Sequence, residues 1–318
     1  MAEQQKIKLL AIVGSTASGK SALAVELANA LDGEIVSCDS MQVYRRMNIG
    51  TAKPTAAEMA QIPHHLIDVA EPDTPFSCAE YVTLAAKAVD EITARGKLPI
   101  LCGGTGLYLD SLLRGSGFEE TETDPALRQS LFDYAAEHGN HALHERLAAV
   151  DPESAAAIHE NNVKRVVRAL EIFESTGITK TEFDRRSRMV ESPYDATVIG
   201  LRYADRDLLY SRIDRRVDEM LANGLLNETK ALLAEGVFER NTTAAQAIGY
   251  KELLGHLRGE QSLTDATEEL KRATRRYAKR QITWFGAKDY VRWIDVTENG
   301  TVKPFDAILQ TALNIIMQ

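Results

Sequence analysis

The sequence predicts an α/β fold, in which a parallel β-sheet flanked by helices is interrupted by an all-helical insertion. Two observations support this prediction. Short apolar runs of strand length alternate with helical patterns over the first 116 residues. Residues 117–193 then show helical periodicity without a convincing strand, and strand-like sequence returns at 195–203. We therefore predict a core domain of residues 1–116 and 194–318, and a helical insertion domain of residues 117–193.

The elements before the insertion repeat one pattern of strand, turn and helix. Residues 7–13 are apolar and predict a strand, and a helix follows from Ser18 to Leu31, where Gly33 is expected to end it. A second short apolar run, in "EIVSCDS", ends at Asp39. Residues 98–102 predict another strand before a glycine turn and a helix. After the insertion, "YVRWIDV" predicts a last strand before a terminal helix.

Three turns in this pattern follow strands directly, at Gly14–Lys20, Asp39–Ser40 and Gly103–Thr105. The carboxyl ends of parallel strands meet at one edge of a sheet, and ligands of such folds bind there. The sequence therefore predicts that these three turns form one binding site.

Composition excludes several classes of protein. Of the 318 residues, 44% are hydrophobic and 26% are charged, which is typical of a globular protein. No apolar run approaches the roughly 18 residues that cross a membrane. The short run Leu9–Val13 is typical of a buried strand rather than a signal peptide. Cys38, Cys78 and Cys102 lack the spacing of metal ligands and predict reduced thiols in a cytoplasmic protein.

The stretch "AIVGSTASGKSAL" contains a full phosphate-loop pattern, G-x-x-x-x-G-K-[ST], formed by Gly14 and Gly19-Lys20-Ser21. Glycines permit the backbone conformations in which successive N–H groups surround a phosphate. The following helix adds the positive end of its dipole. Lys20 offers a charge for the outer phosphate, and Ser21 offers a hydroxyl for Mg²⁺. The loop alone leaves the nature of the phosphate compound open.

The other two turns allow more than one interpretation. An Asp at the end of a strand, such as Asp39, either supports Mg²⁺ or accepts a proton from an incoming nucleophile. In "GGTGLYLDSLL" the hydroxyl of Thr105 is placed to contact a phosphate oxygen, or the glycines serve only tight packing of strand and helix.

Basic residues are clustered although the net charge is −9. The segment Lys271–Arg280, "KRATRRYAKR", has six basic residues and no acid. Six cations without neighbouring acids repel one another, which favours an anionic partner. Interleaved aromatic residues, including Tyr277 and Trp284, suit stacking on unpaired bases, although part of this set is expected in the core.

Two further basic groups remain ambiguous. In "NVKRVVRALEIF", Lys164, Arg165 and Arg168 lie off an apolar helix face, which is typical of a solvated surface as well as of RNA contact. Arg212 and Arg216 lie four residues apart and are available to a diphosphate. They have Asp214, Asp218 and Glu219 as alternative partners.

Seven motifs occur in order over most of the chain: "GSTASGKSALAVELA", "IVSCDSMQVYRRMNIGTAKPT", "PHHLIDV", "LCGGTGLYLDSLL", "NVKRVVRALEIFESTG", "QAIGYKEL" and "KRQITWF". Together they resemble the tRNA dimethylallyltransferase family of bacterial tRNA isopentenyltransferases. The resemblance implies a P-loop NTPase-like core with a helical insertion that contacts tRNA. The sequence departs from the family pattern at Ser15 and Ser21, where Pro and Thr are common, and in "GAKDY", where many members carry another Arg.

The resemblance implies a prenyl transfer. The phosphate loop would hold the diphosphate of dimethylallyl diphosphate, with Mg²⁺, as a leaving group. The N6 amine of the adenosine next to the tRNA anticodon would attack the allylic carbon. The implied partners are the tRNA anticodon stem-loop and dimethylallyl diphosphate, without a membrane, and the chain is expected to act as a cytoplasmic monomer. Alternatives are an adenylate isopentenyltransferase and a small-molecule P-loop kinase.

Site residues follow from the resemblance position by position. Asp39 is expected to be the general base, Thr105 to lie near the reacting centre, and Lys20 with Arg212 or Arg216 to neutralise the diphosphate. The diphosphate loop comprises Gly14, Ser15, Thr16, Ala17, Ser18, Gly19, Lys20 and Ser21, and Ser21 and Asp39 are the candidate Mg²⁺ ligands. The residues expected to contact tRNA are Asp39, Ser40, Met41, Gln42, Thr105, Arg128, Asn162, Val163, Lys164, Arg165, Val166, Arg168, Gln246, Gly249, Tyr250, Lys251, Arg275, Arg276, Lys279, Arg280, Gln281 and Trp284, with Gln42 near the target base.

Overall fold

A computed structural model of the chain describes residues 6–115, 124–189, 191–241 and 243–318. The chain forms two compact units. The core unit comprises Met1–Leu113 and Tyr194–Gln318, and the inserted unit comprises Arg114–Pro193. The first predicted boundary, between residues 116 and 117, lies outside the described residues.

The core unit contains a six-stranded sheet in which all neighbouring strands are parallel. In chain order, the strands are β1 (Ile7–Gly14), β2 (Gly33–Cys38), β3 (His64–His65), β4 (Leu98–Gly103), β5 (Tyr194–Arg202) and β6 (Val291–Asp295). Across the sheet they are arranged in the order β3-β2-β4-β1-β5-β6. A separate antiparallel pair consists of β7 (Thr297–Glu298) and β8 (Thr301–Val302). The central strands are buried on both faces because helices cover both sides of the sheet. The predicted parallel α/β core is confirmed.

The helices are, in chain order, α1 (Lys20–Leu31), α2 (Ala56–Gln61), α3 (Cys78–Ala94), α4 (Gly106–Leu113), α5 (Pro125–Val150), α6 (Pro152–Ala157), α7 (Val163–Thr176), α8 (Lys180–Met189), α9 (Arg206–Ala222), α10 (Leu225–Ala234), α11 (Val237–Arg240), α12 (Lys251–Leu257), α13 (Leu263–Gly286) and α14 (Phe305–Ile316). Side chains of α1, α9 and α14 share one apolar cluster with β1, and those of α3 and α4 share another. No helix in the described part of the chain is both long and apolar enough to span a membrane.

The prediction that Gly33 ends the first helix is wrong by one residue. Asp32 ends α1 with a left-handed φ of 47°, and Gly33 already begins β2. A Cβ on Gly33 would lie 2.8 Å from Ile100 Cδ1 and 2.9 Å from the Leu98 carbonyl oxygen. Close contact between β2 and β4 therefore explains the glycine. The helix also starts later than predicted, because residues 15–19 form the loop.

The inserted unit contains α5–α8, and its described residues include no strand. Its core is formed by leucines of α5 and the apolar face of α7, including Leu143, Leu147, Val166 and Leu170. The apolar spacing in "NVKRVVRALEIF" accounts for this packing, because Val166, Val167 and Leu170 are buried while Lys164 and Arg165 are exposed.

Candidate active site

The loop between β1 and α1 has a backbone that favours glycine at both ends. Gly14 has a φ of 149° and Gly19 a φ of 96°. A Cβ on Gly14 would lie 2.8 Å from the Leu201 carbonyl oxygen, so a larger residue would push the loop from β5. The loop leads into a helix of 12 residues, whose first N–H groups are available to an anion. Ser18 Oγ is buried and has no hydrogen-bond partner among the described residues.

Lys20 begins α1, and its Nζ donates to the Ser15 carbonyl oxygen at 3.2 Å. Burial lowers the pKa of Lys20; the Arg216 charge acts to lower it further, and the Asp39 carboxylate acts to raise it. Burial also raises the pKa of Cys102 to about 11, so this thiol is uncharged near neutral pH. The three cysteines are free thiols.

One amide of the loop is already used inside the protein. The Thr16 N–H donates to Gln281 Oε1 at 2.8 Å, and Gln281 Nε2 donates to the Gly104 carbonyl oxygen at 3.1 Å. The Gln281 side chain is therefore a strut between the phosphate loop and the glycine turn after β4. It was predicted as a tRNA contact, but both ends of its buried amide are bonded to backbone.

Asp39 directly follows β2, and its Oδ1 accepts from the N–H of Met41 at 2.9 Å and of Gln42 at 3.4 Å. These bonds fix the carboxylate in an Asx turn. Oδ2 accepts no hydrogen bond from the part of the chain that the structure describes. Thr105 holds the same turn, because its Oγ1 accepts from the Ser40 N–H at 3.0 Å.

A cavity of about 410 Å³ brings part of the predicted site together. The predicted residues that line it are Thr16, Lys20, Ser21, Asp39, Ser40, Met41, Gln42, Arg216, Gln246, Gly249, Lys251, Arg280 and Gln281. Apolar side chains also contribute, namely Ile35, Ile67, Ile213, Val217, Met220, Ile248 and Leu270. The cavity thus combines cations, hydrogen-bonding groups and an apolar lining.

The two arginines of α9 have different positions. Arg212 Nε donates to the Ala17 carbonyl oxygen at 3.1 Å, so this residue stabilises the backbone of the phosphate loop. Arg216 lines the cavity, and burial lowers its pKa while the Asp39 charge acts to raise it. Neither arginine forms an ion pair with the nearby acids among the described residues, although the Glu219 charge also acts to raise the pKa of Arg216. Those acids pair elsewhere: Asp214 with Arg275, Asp218 with Lys271 and Glu219 with Arg215.

The expectation that the cations of Lys271–Arg280 lack neighbouring acids is also wrong. Lys271 Nζ lies 2.8 Å from Asp218, and Arg276 lies 3.7 Å from Glu269 in the preceding helical turns. The acidic segment "TDATEEL" and helix α9 supply these partners. Arg276 nevertheless keeps a side chain that is 64% exposed, so it remains accessible to an anion.

The aromatic residues of α13 divide into three environments. Phe285 is buried in the core, Tyr277 lines the cavity, and Trp284 is 37% exposed. Trp284 covers Gly106, where a Cβ would lie 2.2 Å from its ring. Lys288 Nζ lies 5.4 Å from the centroid of the Trp284 ring. Only part of this set is accessible to bases, as the sequence suggested.

In the inserted unit, two predicted tRNA contacts share one carboxylate. Glu171 is buried, and its Oε2 accepts from Arg128 and from Arg168, each at 2.8 Å. This arrangement was not anticipated, because an acid on the apolar side of α7 gave no signal in the helical pattern. Both arginine side chains remain partly exposed.

The donors available to Mg²⁺ are oxygen atoms, as this ion requires. Ser21 and Asp39 both line the cavity. No group of three or more His, Cys, Asp or Glu side chains that could hold a metal occurs within the described ranges. The residues fit an ion that takes most of its ligands from water and phosphate, as Mg²⁺ commonly does.

Comparison with known proteins decides the family. A family model described as IPP transferase matches residues 42–288. The chain belongs to the IPP transferase family. Relatives in the family named tRNA dimethylallyltransferase include one from Thermoanaerobacter sp. (strain X514), 48% identical over 92% of this chain and 93% of its own. Another, from Bacillus cytotoxicus, is 50% identical over 94% of this chain and 93% of its own.

Solved structures support the same family and fold. The full-length tRNA isopentenylpyrophosphate transferase of Bacillus halodurans has a TM-score of 0.73 and 46% identity, covering 98% of this chain and 96% of that one. A eukaryotic dimethylallyltransferase described as acting on tRNA has a TM-score of 0.82 and 30% identity, covering 98% of this chain and 79% of that one. The predicted family membership and the P-loop NTPase-like fold are confirmed.

Sequence reasoning missed several residues around the site. His64 lines the cavity, and its Nδ1 lies 2.7 Å from the Ile62 carbonyl oxygen. Burial lowers the pKa of His64, so its ring is neutral near pH 7. His64 lies in the motif "PHHLIDV", but the residue pattern alone does not indicate a role for its ring. Glu228 on α10 gave no sequence signal, although it contacts the loop that lines the cavity.

Proposed function

We propose that this chain transfers a dimethylallyl group from dimethylallyl diphosphate to N6 of the adenosine next to the tRNA anticodon, releasing diphosphate. The main support is the cavity, where Lys20, Arg216 and Asp39 occur together with an apolar lining. The names of the relatives agree with this activity.

Both the attacking adenine amine and the leaving diphosphate need assistance from protein groups. The adenine amine is a weak nucleophile because its lone pair is delocalised into the ring. The bond from the allylic carbon to the diphosphate oxygen breaks as the bond from that carbon to N6 forms. The proton that N6 loses passes to Oδ2 of Asp39, which has no partner among the described residues. Asp39 is therefore our candidate base rather than a metal helper.

The phosphate loop and two cations stabilise the leaving diphosphate. Ser18 Oγ, which lacks a partner within the described ranges, is available to a diphosphate oxygen. Lys20 and Arg216 face the cavity, and the diphosphate charge favours the charged form of Lys20. We assign the contact to Arg216 rather than Arg212, because Arg212 is bonded to the loop backbone.

We assign Mg²⁺ to Ser21, with water and diphosphate oxygens as its other ligands. When bound, the ion would neutralise part of the charge that develops on the leaving group. The apolar lining, including Ile213, Val217 and Leu270, suits a five-carbon hydrocarbon group and excludes water from it.

The polar residues Gln246, Gly249, Lys251 and Arg280 line the same cavity and are our candidates for contact with the anticodon loop. The target base must leave its stack to enter a closed pocket. Exposed cations such as Arg276 add phosphate contacts. A monomeric state and a cytoplasmic location remain predictions.

Incubation with labelled dimethylallyl diphosphate tests the function. With the wild-type chain and tRNA as acceptor, label should enter tRNA; label in AMP alone would support the adenylate alternative and refute the proposal. Lys20→Met should reduce the transfer strongly by removing a charge from the cavity. Lys230→Met removes an exposed lysine charge from α10 and serves as the matched control. Equal loss in both variants would refute the role of Lys20.

A further inference from the structure

A carboxylate of α10 occupies a set of backbone donors in the loop that follows Asp39. Glu228 accepts from the N–H of Asn48 at 3.0 Å, of Ile49 at 2.9 Å and of Gly50 at 3.2 Å. Three successive N–H groups that converge on one point form an anion-binding nest. Here the protein fills the nest with its own carboxylate, so the loop conformation depends on a residue about 180 positions away in sequence.

The same carboxylate also reaches the motif "QAIGYKEL". The Tyr250 hydroxyl donates to Glu228 Oε1 at 2.7 Å. Gly50 allows this contact, because a Cβ there would lie 2.5 Å from the Tyr250 ring. Gly249 also approaches the Gly50 backbone, where its Cβ would lie 3.2 Å from the carbonyl oxygen. Glu228 thus joins two segments that both line the cavity.

Hydrogen bonds continue from this loop to the candidate base. Gln42 Nε2 donates to the carbonyl oxygens of Thr51 and Ala52, each at 3.2 Å. Gln42 Oε1 accepts from Ser37 Oγ at 2.9 Å. The Gln42 amide is therefore held by the protein, and its backbone N–H contacts Asp39 Oδ1. A shift of the loop would pass through Gln42 to the Asx turn that fixes the Asp39 carboxylate.

We propose that Glu228 is a positioning residue for the transfer reaction: by filling the nest at Asn48–Gly50, it fixes the cavity wall and, through Gln42, the orientation of Asp39. The inference rests on the proposed function, in which Asp39 is the base. Glu228 does not line the cavity and is not a catalytic residue. Its effect is on geometry, and small misplacements of reacting groups lower rates strongly.

The variant Glu228→Gln tests this role, because it keeps the size of the side chain and places an amide donor against backbone donors. We expect kcat for prenyl transfer to fall about tenfold or more. Inhibition by inorganic diphosphate should stay within about twofold of wild type, because the phosphate loop does not contact Glu228. Amide hydrogen exchange at Ile49 and Gly50 should become faster, and this readout does not depend on activity.

The control is Glu235→Gln at the end of the same helix. Glu235 forms an exposed ion pair with Arg46 of the same loop but does not contact the nest. In Glu235→Gln, amide hydrogen exchange at Ile49 and the kcat for prenyl transfer should match those of the wild type. If Glu228→Gln does not fold, Glu228→Asp keeps the charge, withdraws the carboxylate by one methylene and provides the same test.

Wild-type turnover in Glu228→Gln, with or without faster exchange, would overturn the inference and leave the proposed function intact. A fall in kcat accompanied by weaker inhibition by diphosphate and by lower thermal stability would also overturn it, because that combination indicates a general folding defect. Absence of transfer to tRNA by the wild-type chain would instead refute the proposed function.

Discussion

Replacement of Gln281 by leucine tests whether this residue is a strut of the active site or a tRNA contact. Gln281 is 5% exposed and bonds to the Thr16 N–H and the Gly104 carbonyl oxygen. Leucine has a similar volume but offers neither a donor nor an acceptor. Two backbone groups, one in each glycine turn, would lose their partner.

The size of the effect follows from these two bonds. Leaving a buried backbone group unpaired costs about 1–3 kcal/mol, and the added apolar burial of leucine offsets part of the sum. We therefore expect Gln281→Leu to lower the free energy of unfolding by about 2–4 kcal/mol. For a chain of 318 residues, such a loss lowers Tm by roughly 3–6 °C. The freed loop should also bind diphosphate less tightly, which raises the KM for dimethylallyl diphosphate.

Urea denaturation, with transfer kinetics at saturating tRNA, would measure both effects. Thr283→Val, on the same helix, removes an exposed hydroxyl that donates to the Lys279 carbonyl oxygen and should change the stability by less than about 0.5 kcal/mol. A Gln281→Leu protein with wild-type stability and wild-type KM for the diphosphate substrate, but with weaker tRNA binding, would refute the assignment as a strut.

Three further changes have defined outcomes. Asp39→Asn keeps the acceptor for the Met41 N–H but loses the proton acceptor, so single-turnover transfer should slow by about 10²–10⁴-fold while tRNA binding in gel-shift assays survives. Burial raises the pKa of Glu252, so the wild-type chain loses stability as the pH rises from the pKa of an unfolded glutamate through the pKa of the folded state. The variant Glu252→Gln removes this loss. In urea titrations it should therefore stabilise the chain more at about pH 8 than at about pH 5. Arg276→Ala should reduce the slope of log K against log salt for tRNA by about one, and an unchanged slope would remove Arg276 from the interface.

The sequence was sufficient to predict the fold class and the edge of the sheet where the site lies. Apolar runs identify buried parallel strands, and the phosphate-loop pattern identifies the turn after β1 without any knowledge of tertiary contacts. The three predicted turns indeed meet, since Thr16 is linked through Gln281 to Gly104, and Thr105 is bonded to Ser40.

Pairings between distant side chains could not be predicted in the same way. The cations of α13 looked unopposed because their partners Asp214 and Asp218 lie on another helix. Glu228 is one acid among many on α10, and its contact with the loop before α2 exists only after both elements pack. Sequence patterns report the face on which a residue lies, but not which residue of another element will reach it.

The cavity places like charges together, and this favours the interpretation of the phosphate loop as a holder of a leaving group. Burial and the nearby Arg216 both lower the pKa of Lys20, which means that the protein alone penalises the charged form of this lysine. A diphosphate removes that penalty, and it does so most strongly when its charge is greatest, after the bond to the allylic carbon has broken. Interactions that strengthen as the bond breaks lower the barrier rather than merely tighten substrate binding. The charges of the same two cations interact with the Asp39 carboxylate, so in the proposed reaction the departure of the diphosphate and the removal of the N6 proton would take place in one electrostatic environment.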